Sequence, residues 1–131
     1  MDILINSSSD ALWSNLTELD LGFCTLTFAN DRSNDTWYLL KNSTQLRKLM
    51  LNRVSTLSSE FLHSHFDFST FRELSHLDLS GNQLTYFSAE QLNLLSRNLE
   101  YLNLADNRLH AISMTSSLMD YLAWLDLSCN R

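Results

Sequence analysis

A chain of 131 residues with 44% hydrophobic content is long enough to bury a core of its own, which excludes disorder as its default state. Fifteen acidic residues against nine basic ones give a net charge of −6, which repels phosphate backbones and argues against a nucleic-acid partner. With no proline and only Gly22 and Gly81, the chain lacks the backbone devices of phosphate-cradling loops and nucleophile elbows.

Residues 1–15 read as a partial N-terminal segment. Asp2 and the brief apolar run Ile3 to Ile5 do not make the basic n-region and long h-region of a secretory signal. No later apolar run reaches membrane-spanning length.

From Leu16 onward one spacing recurs, with units beginning near residues 16, 46, 74, 99 and 122, at steps of 30, 28, 25 and 23. That period is the signature of a solenoid built from leucine-rich units of the form LxxLxLxx(N/C)xL. The first, LTELDLGFCTL from Leu16 to Leu26, places Cys24 at the Asn/Cys position. The second, LRKLMLNRVST, keeps Leu46, Leu49 and Leu51 but has Val54 and Thr56 where Asn and Leu belong.

Irregular turns are expected over Phe61 to Phe71, where aromatics crowd the return segment. There His63, His65 and Asp67 stand at alternate positions, so an extended chain would face all three one way, as a metal site requires. No fourth ligand is near, and the preferred reading is a polar rim packed by Phe61, Phe66 and Phe68, with no metal and no cofactor.

The third and fourth units, LSHLDLSGNQL from Leu74 and LEYLNLADNRL from Leu99, fit the pattern at every specified position. Between them Ala89 to Arg97 reads as a short helix, and Phe87, Leu92 and Leu95, like Ile112 and Leu118 later, return apolar groups to the interior. The fifth, LAWLDLSCN from Leu122, stops before its last leucine; the chain is expected to be a fragment of a longer protein.

Alternation in each L-x-L strand turns Leu77 and Leu79 inward and Asp78 to solvent. Asn82, Asn107 and Asn130 then fall at one turn in successive coils, where a buried amide must bond backbone groups leaving the strand, a task Val54 cannot perform. The outward positions form two columns across the sheet. One is Glu18, Lys48, His76, Tyr101 and Trp124; the other is Asp20, Met50, Asp78, Asn103 and Asp126. Aromatics flanked by acids have the composition of an interface anchor, with Tyr101 and Trp124 foremost.

These strings closely resemble the typical class of leucine-rich repeats found in the ectodomains of Toll-like receptors and related animal cell-surface proteins. The resemblance covers residues 16–130 and implies an α/β horseshoe: a concave parallel sheet with an irregular or short-helical convex side. It further implies ligand contacts on the concave or lateral face and homo- or heterodimerisation. On that basis the chain is expected to be an extracellular protein-binding module that recognises a protein ligand or co-receptor in signalling. The alternatives are an intracellular, cytoplasmic scaffold and the regulatory region of an enzyme. No nucleophile, oriented base and oxyanion site assemble in these residues, so the chain itself is read as no enzyme.

Asn6, Asn15, Asn34 and Asn42 each begin an Asn-x-Ser/Thr sequon, a glycan acceptor if the chain enters the secretory pathway. Cys24 and Cys129 lie four coils apart, roughly 19 Å at the strand spacing, too far to bridge. Cys24 is expected to be buried and Cys129 exposed.

Overall fold

The computed structural model of the chain describes residues 2–4, 13–27, 40, 42–95, 97–114 and 116–131. Every L-x-L unit forms a three-residue strand: β2 (Glu18–Asp20), β4 (Lys48–Met50), β5 (His76–Asp78), β6 (Tyr101–Asn103) and β7 (Trp124–Asp126). They make one parallel sheet in the order β2-β4-β5-β6-β7, paired residue for residue without a register shift. The middle residues Leu19, Leu49, Leu77, Leu102 and Leu125 therefore form an inward column, fully buried in the three inner strands and partly buried at the two edges. A strand of three residues cannot bury its leucine alone, so each coil depends on its neighbours. The fold is an α/β leucine-rich repeat solenoid.

A second, two-stranded parallel sheet pairs β1 (Asp2–Leu4) with β3 (Thr25–Thr27), in register from Asp2 opposite Thr25. The N-terminal segment thus contributes a strand that the repeat pattern does not announce.

The return segments carry α1 (Ser59–His65), a 3-10 turn (Phe68–Thr70), α2 (Ala89–Leu94) and α3 (Ser116–Met119). The helix expected after Ala89 is present, opened by a capping box between Ser88 and Gln91. The expectation of irregular turns over Phe61 to Phe71 is corrected: Ser58 Oγ accepts from the Phe61 N–H, Glu60 sits in the first turn, and α1 follows. The chain is helical over Ser59–His65, so the alternate spacing that an extended chain would turn to one side does not apply there. Asp67 is spent as a cap, its Oδ1 accepting from the Ser69 N–H at 3.0 Å. Among the described residues no group of three metal-ligating side chains comes together. The aromatics of this stretch pack as expected, with Phe68 stacked on Phe66 at 5.8 Å and edge-on to Phe71 and Phe87.

The degraded second unit reaches the core by a one-residue slip: Thr56 is exposed, and Leu57 next to it is fully buried in the place of the missing leucine.

Asparagines join the coils. Asn82 Nδ2 donates to the carbonyls of Leu79 and, one coil back, Leu51, while its Oδ1 accepts from the Val54 N–H. Asn107 repeats the pattern with Leu104, Leu79 and Leu84, and Asn130 with Leu127, Leu104 and Leu109. The residue before this position turns left-handed in every coil: Phe23, Arg53, Gly81, Asp106 and Cys129 have φ between 54° and 66°.

Candidate functional site

Because the strands pair in register, the outward positions meet their counterparts on the neighbouring strands. The first column divides in two. At its N-terminal end Lys48 Nζ lies 3.2 Å from Glu18 Oε1, an exposed pair that contributes about 0.2–1 kcal/mol. At the other end three rings stack across three strands. His76 and Tyr101 have centroids 5.5 Å apart with planes 19° off parallel, and Tyr101 and Trp124 lie parallel at 4.2 Å. Trp124, on the last described strand, is 41% exposed.

The second column has a structural task that its sequence pattern does not show. Asp20, Asp78, Asn103 and Asp126 each turn Oδ1 back to accept the backbone N–H two residues on, from Gly22, Ser80, Ala105 and Ser128 at 2.8–3.1 Å. These Asx turns steer the chain out of each strand. Met50 has no such oxygen. Asp78 also accepts from Asn103 Nδ2 at 3.2 Å and is only 7% exposed, which corrects the expectation that it points freely to solvent. Its partners on the neighbouring strands are Met50 and Asn103.

The electrostatics follow from this arrangement. The Tyr101 phenol is pushed above its ordinary pKa, first by burial and then by the negative charge of Asp78 and, more weakly, Asp126, against an opposing hydrogen bond from Asn103. Asp126 is held below the usual carboxylate range by its hydrogen bonds from the Ser128 side chain and backbone.

Of the four sequons, Asn15 and Asn42 are exposed, whereas Asn6 and Asn34 lie outside the described residues. Both cysteines are free: Cys24 is buried, with its thiol donating to the Gly22 carbonyl at 3.6 Å, and Cys129 is exposed.

Sequence reasoning missed a lateral feature on the left-handed positions. The Arg53 guanidinium stacks over the Phe23 ring at 5.7 Å, passes Gly81, and reaches Asp106 two coils away at 3.8 Å. The signal was present one residue before each Asn/Cys position, but a column of Phe, Arg, Gly, Asp and Cys has no common chemistry; only the shared backbone angle unites it. Next to it runs an open groove lined by Asp106, Arg108, His110 and Arg131. Its walls carry both signs of charge.

Known families place three of the five units where the geometry does. A leucine-rich repeat model matches residues 73–95 and 98–119, and a second leucine-rich repeat model matches residues 14–27. These matches agree with the in-register sheet and the asparagine turns, which have the leucine-rich repeat fold, a fold whose modules generally bind other proteins. No curated protein matches the chain. Among the described residues no helix is long and apolar enough to cross a membrane.

Proposed function

We propose that the chain binds a protein ligand or co-receptor over the outward face of its five-stranded sheet, with Tyr101 and Trp124 as anchors and no catalysis of its own. The observation that carries this reading is the His76–Tyr101–Trp124 ladder, whose outer ring stays 41% exposed on a rigid, in-register sheet. Rigid aromatics with few rotatable bonds lose little entropy on binding, which is why they recur as interface hot spots. Lys48, Glu18 and the Asp20 to Asp126 column form the polar surround of that anchor. Dimerisation through the same module belongs to the reading.

We further propose an extracellular setting, as part of a receptor ectodomain involved in signalling. Its support is the likeness of the repeats to receptor ectodomains and the exposure of the Asn15 and Asn42 sequons. An intracellular scaffold is the second reading, favoured by the exposed free thiol of Cys129, which suits a reducing compartment. Expression of residues 1–131 behind a secretion signal tests the choice. A secreted product whose mass falls on removal of N-glycans supports the ectodomain, and an Asn15→Gln, Asn42→Gln variant should lose part of that shift. A folded, secreted product with no shift favours the scaffold. The binding face is tested by Trp124→Ala, which should weaken any partner at least tenfold while leaving the far-ultraviolet circular dichroism spectrum unchanged.

A further inference from the structure

The outward face of the sheet is divided by charge as well as by chemistry. Its N-terminal end carries cations, Lys48 and the adjoining Arg47, beside Glu18 and Asp20. Its C-terminal end, from β5 to β7, contains the whole ring ladder and has no Lys or Arg in the strands or in the residues that lead into them, Ser75, Glu100 and Ala123. It carries Asp126 and the largely covered Asp78, and the exposed Glu100 leads into β6. Asp126 Oδ1 accepts the Ser128 N–H of the Asx turn, the Ser128 side chain also hydrogen-bonds the carboxylate, and the residue is still partly open to solvent.

We propose that this aromatic and acidic half of the sheet docks a basic segment of a protein partner, with an Arg or Lys side chain lying along Trp124 and ending at Asp126. The proposal rests on the reading of the sheet as the binding face and adds the chemistry of its occupant.

Trp124 and Asp126 stand two residues apart on β7, on the same face, and are therefore separated by about 6.6 Å along the strand. A side chain with an apolar stem and a cationic head matches that sequence of ring then carboxylate. An aliphatic anchor would leave the Asp126 charge unanswered at the contact, and an acidic one would be repelled by it. The field extends along the ladder: the phenol of Tyr101, between Asp78 and Asp126, resists ionisation partly because of those carboxylates. The chain's net charge of −6 steers the approach of such a partner from a distance.

The test is to pan a phage-displayed library of random dodecamer peptides on the immobilised chain and measure the dissociation constants of selected peptides by calorimetry. The expected result is enrichment in Arg and Lys, with binding at least tenfold weaker in Asp126→Asn and in Trp124→Ala but unchanged in Asp120→Asn. The two Asn variants alter net charge equally, and Asp120 lies outside the sheet, so the pair separates a local site from a general attraction to an acidic protein. Asp126→Asn keeps the oxygen that caps its turn and should fold; its thermal melt verifies this. Neutral or acidic peptides that still depend on Trp124 would overturn the basic occupant and leave the binding face standing. Peptides indifferent to both Trp124→Ala and Tyr101→Ala would overturn the binding face itself. Basic peptides equally weakened by Asp120→Asn, or no selection above background, would also overturn the proposal.

Discussion

The Asn82 side chain and the Val54 backbone N–H, 28 residues apart in the chain, meet at 2.8 Å. The same carboxamide serves the carbonyls of Leu51, Leu79 and Ser80, so one buried residue satisfies backbone groups of two coils. Replacing it with alanine strands a buried N–H and a buried carbonyl on the preceding coil, where water has little access. Asn82→Ala should cost about 2–4 kcal/mol, as the loss of two or more buried partners does. Asn130→Ala, at a half-buried position whose partners are nearer solvent, should cost less. Chemical denaturation of the two variants measures the difference; equal costs would mean that burial does not set the value of this bond.

The left-handed column makes a second prediction, in which one substitution and its reverse act with opposite signs. Gly81 has φ +66°, and an added Cβ would fall 2.5 Å from Arg53 Cγ. Gly81→Ala should therefore lose about 1–3 kcal/mol through backbone strain, and it should displace the guanidinium that reaches Asp106. Cys129 has φ 55° with an exposed side chain, and Cys129→Gly relieves a penalty without removing a packed group. It should be neutral or stabilise by up to about 1 kcal/mol. Thermal melts of both variants check the signs.

How much of this was legible beforehand can be judged residue by residue. The strands, their register, the inward leucines and the asparagine turns could be read because each reflects a side-chain type recurring at one position. Leu57 in place of Thr56 could not, since a one-residue slip erases the spacing while the core still fills. Helix α1 was missed because its start depends on the Ser58 cap, a local hydrogen bond that outweighs the disorderly look of a phenylalanine-rich stretch. In the outward columns, Tyr101 and Trp124 were placed side by side by counting alone, but the stacking at 4.2 Å was not. The outward place of the Asp and Asn column could be read by counting, but its role in closing turns could not, since the same side-chain oxygens serve a turn or a partner equally well.

Stacking gives a third prediction. Tyr101 has rings on both faces, His76 on one and Trp124 on the other, whereas Trp124 has a described ring on one face only. Each such aromatic pair adds about 0.5–1.5 kcal/mol beyond simple burial. Tyr101→Ala should therefore destabilise more than Trp124→Ala, although Trp124 is the larger side chain. The reverse order in urea denaturation would show that area removed from water, rather than ring contact, dominates at this surface.

The Tyr101 phenol provides the last prediction, because its ionisation reports both burial and the carboxylates around it. Its pKa is raised in the folded chain, so below the unfolded value of 10.0 both states are protonated and the contribution to stability is fully present. As pH rises through and beyond that value, the unfolded chain ionises first and the contribution is lost until the folded phenol also titrates. Stability should thus fall on the alkaline side, more steeply in the parent chain than in Tyr101→Phe. Burial is the larger cause and the charges of Asp78 and Asp126 the smaller ones, so Asp126→Asn should lower the phenol's pKa without returning it to the unfolded value. Ultraviolet absorbance of the phenolate, referenced to Tyr101→Phe, measures the shift. A pKa unmoved by Asp126→Asn would mean that the Asp126 charge is screened at the ring, and the acidic character assigned to this half of the sheet would not extend to the ladder it surrounds.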